Sequence, residues 1–66
     1  MNIVVNGEPT TIDQPCTVEQ FLRMRGLAAA PCAVEINRQL VPKRLHEQRS
    51  LSPDDRIEIV TLVGGG

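Results

Sequence analysis

The chain is nearly without aromatic residues: Phe21 stands alone, and there is no tyrosine or tryptophan. A single ring is better suited to anchoring a hydrophobic core than to stacking nucleic-acid bases. An excess of positive charge is missing too. The formal net charge is -1, which argues against nucleic acid or anionic lipid as the main partner, because both need a cationic surface. No apolar run approaches the length of a membrane span. Residues 1–6 have neither the basic start nor the apolar stretch of a secretion signal. A cytoplasmic protein with no membrane or nucleic-acid partner is expected.

Reactive side chains are equally scarce. Cys16 and Cys32 lie too far apart in sequence for a CxxC redox or zinc motif, and a reducing compartment keeps both as thiols. The one histidine, His46, has no nucleophile or metal-ligand set beside it, so neither a catalytic nor a metal site is assigned. At 66 residues the chain makes a single domain with a small core. That leaves no room for a cleft together with a catalytic scaffold, and a protein acted upon by others is expected in place of an enzyme.

What is present reads as strands arranged around one helix. Residues 1–6 alternate, with Met1, Ile3 and Val5 on one face and Asn2 and Asn6 on the other. Asn6-Gly7 signals a type I′ hairpin, which predicts an antiparallel return over residues 10–13, with Pro9 at a strand start or a sheet edge. Gln14, Pro15 and Cys16 break the strand. Thr17 followed by Gln20 makes a capping box, so a helix is expected from Val18. Val18, Phe21, Leu22 and the stem of Arg25 fall along one side of it, and Gly26 stops it.

Residues 27–31 read as a linker of small residues and residues 32–36 as a third strand, with Val34 and Ile36 inward. Asn37-Arg38 turns this strand, and Leu40-Val41 is a short strand ended by Pro42. Lys43, Arg44, His46 and Arg49 form a basic cluster around Leu45, read as a solvated loop or a single helical turn. Asp54 and Asp55 sit in a Ser-Pro-Asp-Asp turn, where carboxylates accept from backbone donors more readily than they form an acid/base pair.

The last strand is expected over residues 56–63. Ile57 and Ile59 point inward, so Glu58, Val60 and Leu62 point outward. Outward Val60 and Leu62, with Val63, are candidates for docking a partner. Three glycines follow, Gly64, Gly65 and Gly66. Without Cβ atoms such a segment can thread a cleft with room only for main chain, and three extended residues reach roughly 10 Å. The α-carboxyl of Gly66 is ionised at neutral pH and can attack an activated phosphate, as a substrate more than a catalyst. The plain alternative is a frayed end.

This order of elements is similar to the ubiquitin-like β-grasp: an α+β fold whose mixed sheet of four to five strands carries one main helix packed across one face. Residues 33–37 (AVEIN), 41–44 (VPKR), 54–59 (DDRIEI) and the ending 63–66 (VGGG) together resemble the ThiS family of sulfur carriers in thiamin biosynthesis. The resemblance covers essentially the whole chain. It implies one domain over residues 1–66, with 64–66 a flexible tail. A ThiF-like adenylyltransferase would use ATP and Mg²⁺ to adenylate Gly66, the carrier itself binding no cofactor. Persulfide sulfur from a cysteine desulfurase route would displace AMP and leave a thiocarboxylate, and a ThiG-like thiazole synthase would take up the sulfur.

In that scheme Gly66 carries the sulfur, while Gly65 and Gly64 give clearance, Gly64 acting as a spacer. Other readings stay open on the same fold. One is a MoaD-like or other carrier serving molybdopterin synthesis or the thiolation of cysteine or tRNA. A second is a ubiquitin-like modifier that joins target lysines through Gly66. A third is a β-grasp binding module with an inert tail.

Overall fold

The computed structural model of the chain describes residues 1–62. Val63, Gly64, Gly65 and Gly66 lie outside the described residues, and the expectations placed on them stay at the level of sequence. β1 (Asn2–Val5) turns at Asn6 and Gly7, whose φ angles of 49° and 82° are both positive, as a type I′ turn requires. β2 (Glu8–Thr11) begins earlier than the sequence predicts. A two-residue turn pairs its flanking residues at once, so Val5 faces Glu8 and Val4 faces Pro9. Pro9 is tolerated inside this strand because β2 is an edge, where the missing N–H would have pointed to solvent. The pairing continues past β2: the Met1 ammonium donates to Ile12 O at 2.6 Å, and Ile12 N donates to Met1 O at 2.9 Å.

α1 (Val18–Met24) starts and stops where its local chemistry dictates. Gln20 N donates to Thr17 Oγ1 at 3.2 Å and Thr17 N to Gln20 Oε1 at 2.9 Å, the reciprocal capping box. At the other end Gly26 has φ 73°, Gly26 N donates to Arg23 O and Leu27 N to Leu22 O, which is a Schellman motif. Val18, Phe21 and Leu22 form the buried face. Phe21 is 3% exposed, a core anchor as expected, with the Arg25 guanidinium 5.4 Å from its ring centroid.

β3 (Cys32–Ile36), β4 (Gln39–Val41), a single 3₁₀ turn (Lys43–Leu45) and β5 (Arg56–Thr61) complete the chain. The sheet order is β2-β1-β5-β3-β4. β1 and β5 are parallel, and the other neighbours are antiparallel. Ile3, Val5, Val34, Ile36, Ile57 and Ile59 line the covered face of the sheet and pack in one core with Val18, Phe21 and Leu22 of α1. This is the ubiquitin-like β-grasp arrangement.

The basic cluster does not form as a unit. Lys43 and Arg44 are exposed on the 3₁₀ turn, in line with a single helical turn, but His46 is only 7% exposed. Its Nε2 lies 3.0 Å from Val41 O, so that nitrogen must carry the proton and donate, and the ring serves to hold the turn against β4. Arg49 is half-buried and faces Asp55, its Nη2 3.6 Å from Asp55 Oδ2. Asp55 is 5% exposed; it accepts from Ser52 N at 2.8 Å and from Asn37 Nδ2 at 2.9 Å. Its role as an acceptor for turn donors is the one the sequence suggests.

Asp55→Ala would take the acceptor from two part-buried hydrogen bonds, those of Ser52 N and Asn37 Nδ2, and remove the buried carboxylate that faces Arg49. A loss of about 2–3 kcal/mol is expected in urea-unfolding free energy. Asp54→Asn, at the exposed neighbour with φ 68°, should stay within about 0.5 kcal/mol of the parent. Equal effects at the two positions would remove the Asp55 network from the account of the fold.

Candidate functional site

The candidate site is the carboxyl end of β5, the strand that precedes residues 63–66 in sequence. β5 alternates as expected through Val60, with Ile57 and Ile59 buried at 1% and 9% exposure and Val60 59% exposed, but Thr61 is exposed as well and the strand ends there, leaving Leu62, 53% exposed, just beyond it. Its first residues are gripped by Asn37, whose Oδ1 accepts from Arg56 N at 3.0 Å while its own N donates to Arg56 O at 2.8 Å. Leu62 N donates to Pro31 O at 2.8 Å, so main-chain pairing continues one residue past the end of the strand. Asn6 reaches β5 from the other side through its carboxamide, which bonds the main chain of Ile59.

Register decides what lies on the sheet face that the helix leaves uncovered. Val60 is opposite Ala33, Glu58 is opposite Glu35, and Glu35 is opposite Leu40. Two carboxylates therefore face each other across β3 and β5, an arrangement that costs stability. Neither joins an ion pair among the described residues. Leu40, 65% exposed, joins Val60 on this face. Leu40 lies in a strand as its sequence predicts, but the face it shares follows only from the register of β4 with β3 and β3 with β5. Val63, the third residue of the expected docking patch, lies outside the described residues, as do Gly64, Gly65 and Gly66.

Leu62 also borders a cavity of 470 Å³ whose walls include Leu22, Leu27, Pro31, Cys32 and Lys43. Cys32 is half-buried here, whereas Cys16 is buried at 8% exposure, and both are free thiols. Burial pushes the Cys16 thiol above its ordinary pKa by penalising the thiolate. Among the described residues no three His, Cys, Asp or Glu side chains come together in a way that would hold a metal ion. No described helix is long and apolar enough to cross a membrane.

Comparison with known proteins places this geometry in context. The family model described as the ThiS family matches residues 3–66. An uncharacterized protein, ycf40, of Porphyra purpurea is 35% identical over 66 residues, covering 100% of this chain and 93% of its own length. A thiazole synthase of Paramagnetospirillum magneticum is 38% identical over the same 66 residues, but the chain spans only 20% of that protein. Among solved structures, the crystal structure of a thiamine biosynthesis protein, ThiS, from Geobacter metallireducens superposes with a TM-score of 0.85 at 29% identity, covering 100% of both chains.

The two cysteines differ in burial, and that difference can be read chemically. Iodoacetamide at neutral pH is expected to label Cys32 well before Cys16. Because the folded pKa of Cys16 is raised, its burial contributes stability that is complete below the unfolded pKa, about pH 8.5, and is lost as pH rises through the folded value. Urea titrations should therefore show a decline above about pH 8.5 that Cys16→Ala removes. An unchanged decline in that variant would show that another group causes it.

Proposed function

The chain belongs to the ThiS family, and we propose that it is a sulfur carrier for thiazole formation whose working group is the carboxylate of Gly66. The observation that carries this reading is the placement of β5. The strand that leads into the glycines is the middle strand of the sheet, and the family match runs through it to residue 66. The fold then supplies a firm mount and the tail the reacting group.

In the proposed cycle a carboxylate oxygen of Gly66 attacks the α-phosphorus of ATP on a ThiF-like activating enzyme that binds Mg²⁺. Pyrophosphate leaves and an acyl adenylate remains. The terminal sulfur of a persulfide, supplied through a cysteine desulfurase, adds to the carbonyl and AMP departs. A thiol then attacks the S–S bond, forming a disulfide with the donor and releasing the thiocarboxylate. A ThiG-like thiazole synthase accepts that sulfur. Gly65 and Gly64 keep side chains out of both active sites. The carrier supplies no catalysis of its own in this scheme, and it works in the cytoplasm, where its thiols stay reduced.

The thiazole synthases that hold a segment similar to this whole chain support a synthase as one partner, since joining two modules raises the effective concentration of one at the other. Val60 and Leu62 provide the apolar contact in this reading, with Val63 beyond them. The Glu35 and Glu58 pair calls for a cationic side chain on the partner. Long-lived attachment is not needed, because the carrier must leave one enzyme for the next.

Incubation with an activating enzyme, ATP, Mg²⁺ and a persulfide donor should raise the intact mass by one oxygen-to-sulfur exchange. Deletion of Gly65 and Gly66 should abolish it. High-mass conjugates in place of the exchange would support a protein modifier, and no change at all would sink the reactive tail. Separately, Val60→Asp or Leu62→Asp is expected to weaken association with the activating enzyme by about tenfold with an unaltered circular dichroism spectrum. Undiminished affinity would take the patch out of the scheme.

A further inference from the structure

β5 is held unequally along its length. Toward β3 its even-numbered residues make the main-chain bonds. Asn37 N donates to Arg56 O and Leu62 N to Pro31 O, and the register of Glu35 with Glu58 and Ala33 with Val60 keeps the pairs between them in phase. The odd-numbered residues therefore present N–H and C=O toward β1. There β1 ends at Val5, opposite Ile57. Asn6 N donates to Ile57 O at 2.8 Å, and the chain then turns away through Gly7.

The next position along β5, Ile59, would face an empty place in this parallel ladder. The Asn6 side chain fills it: Oδ1 accepts from Ile59 N at 2.7 Å and Nδ2 donates to Ile59 O at 3.3 Å. A carboxamide offers the donor and acceptor of a peptide unit, so Asn6 extends the ladder by one position after its own backbone has left the sheet. Ile59 becomes the last residue of β5 whose main chain is bonded on the β1 side. Val60 and Thr61 pair with β3 alone.

We infer that Asn6 is a positioning residue for the Gly66 carboxylate: by clasping Ile59 it fixes the point and direction from which β5 delivers residues 62–66 to a partner's active site. This rests on the sulfur-carrier reading. What a short tail can reach depends on where it starts, and small misplacements of a reacting group are costly in rate. Asparagine also suits the turn, where φ is 49°. Glycine adopts that φ equally well without a carboxamide, so Asn6→Gly separates the clasp from the turn.

The test compares the wild-type carrier, Asn6→Gly and Asn6→Asp. In Asn6→Gly the Ile59 amide is expected to exchange about fivefold faster relative to the core amides of β1 and β3. In ATP–pyrophosphate exchange by an activating enzyme, kcat should fall on the order of tenfold. KM for the carrier should stay within about twofold, since the docking face is untouched. Asn6→Asp keeps the acceptor for Ile59 N and is expected to restore Ile59 protection and part of kcat. A role confined to the turn would leave kcat unchanged whatever the melting temperature did.

Retained Ile59 protection in Asn6→Gly overturns the clasp, and lost protection with an unchanged kcat overturns the positioning role. Absence of exchange with the wild-type carrier sinks the carrier reading and the positioning role with it, while Ile59 protection still reports on the clasp.

Discussion

The rest of this structure depends on the insertion of its final strand between two others. β5 bonds β1 in parallel and β3 in antiparallel, and Ile57 and Ile59 push into the centre of the core. Parallel pairing of the first and last strands forces everything between them to cross the sheet. That crossing carries α1, and α1 buries its apolar face by covering the strands. Most of the stabilising contacts are therefore distant in sequence, and the strand nearest the tail is the most thoroughly enclosed in the fold.

Polar side chains complete what the strands leave open around β5. Asn37 and Asn6 both occupy left-handed turns, with φ of 53° and 49°, and both turn their carboxamides onto the β5 main chain. In each case one residue serves the turn and the neighbouring strand together. Asp55 satisfies the donors that gather where β5 begins. The uncovered sheet face is handled differently. Glu35 and Glu58 stand opposite each other between exposed Leu40 and Val60, an arrangement with little to recommend it in the isolated chain and some sense opposite a cationic partner.

Local chemistry made much of this legible beforehand. The capping box of Thr17 and Gln20, the stop at Gly26, the Asn6-Gly7 turn and the alternation through Ile57 and Ile59 act over a few residues, and each appears where its pattern puts it. The resemblance of the chain to the ThiS family was likewise carried by short motifs and is matched over residues 3–66. Less legible were features that require a neighbour from elsewhere. β2 begins at Glu8 because the tight turn sets pairing with β1. His46 and Arg49 leave the basic cluster because a β4 carbonyl and Asp55 offer buried partners. Leu40 shares a face with Val60 only through the register of two ladders.

β5, the strand that precedes the three glycines in sequence, is mounted between β1 and β3. Sequence alone determined most of the elements, the burial of Phe21 and the alternation that turns Ile57 and Ile59 inward and Val60 outward, because periodicity and capping are properties of adjacent residues. Only the tertiary structure decided that β5 lies at the centre of the sheet and that Asn6 holds Ile59 from the far end of the chain. Which strands become neighbours is settled by burying their shared apolar face, and no local pattern encodes that choice.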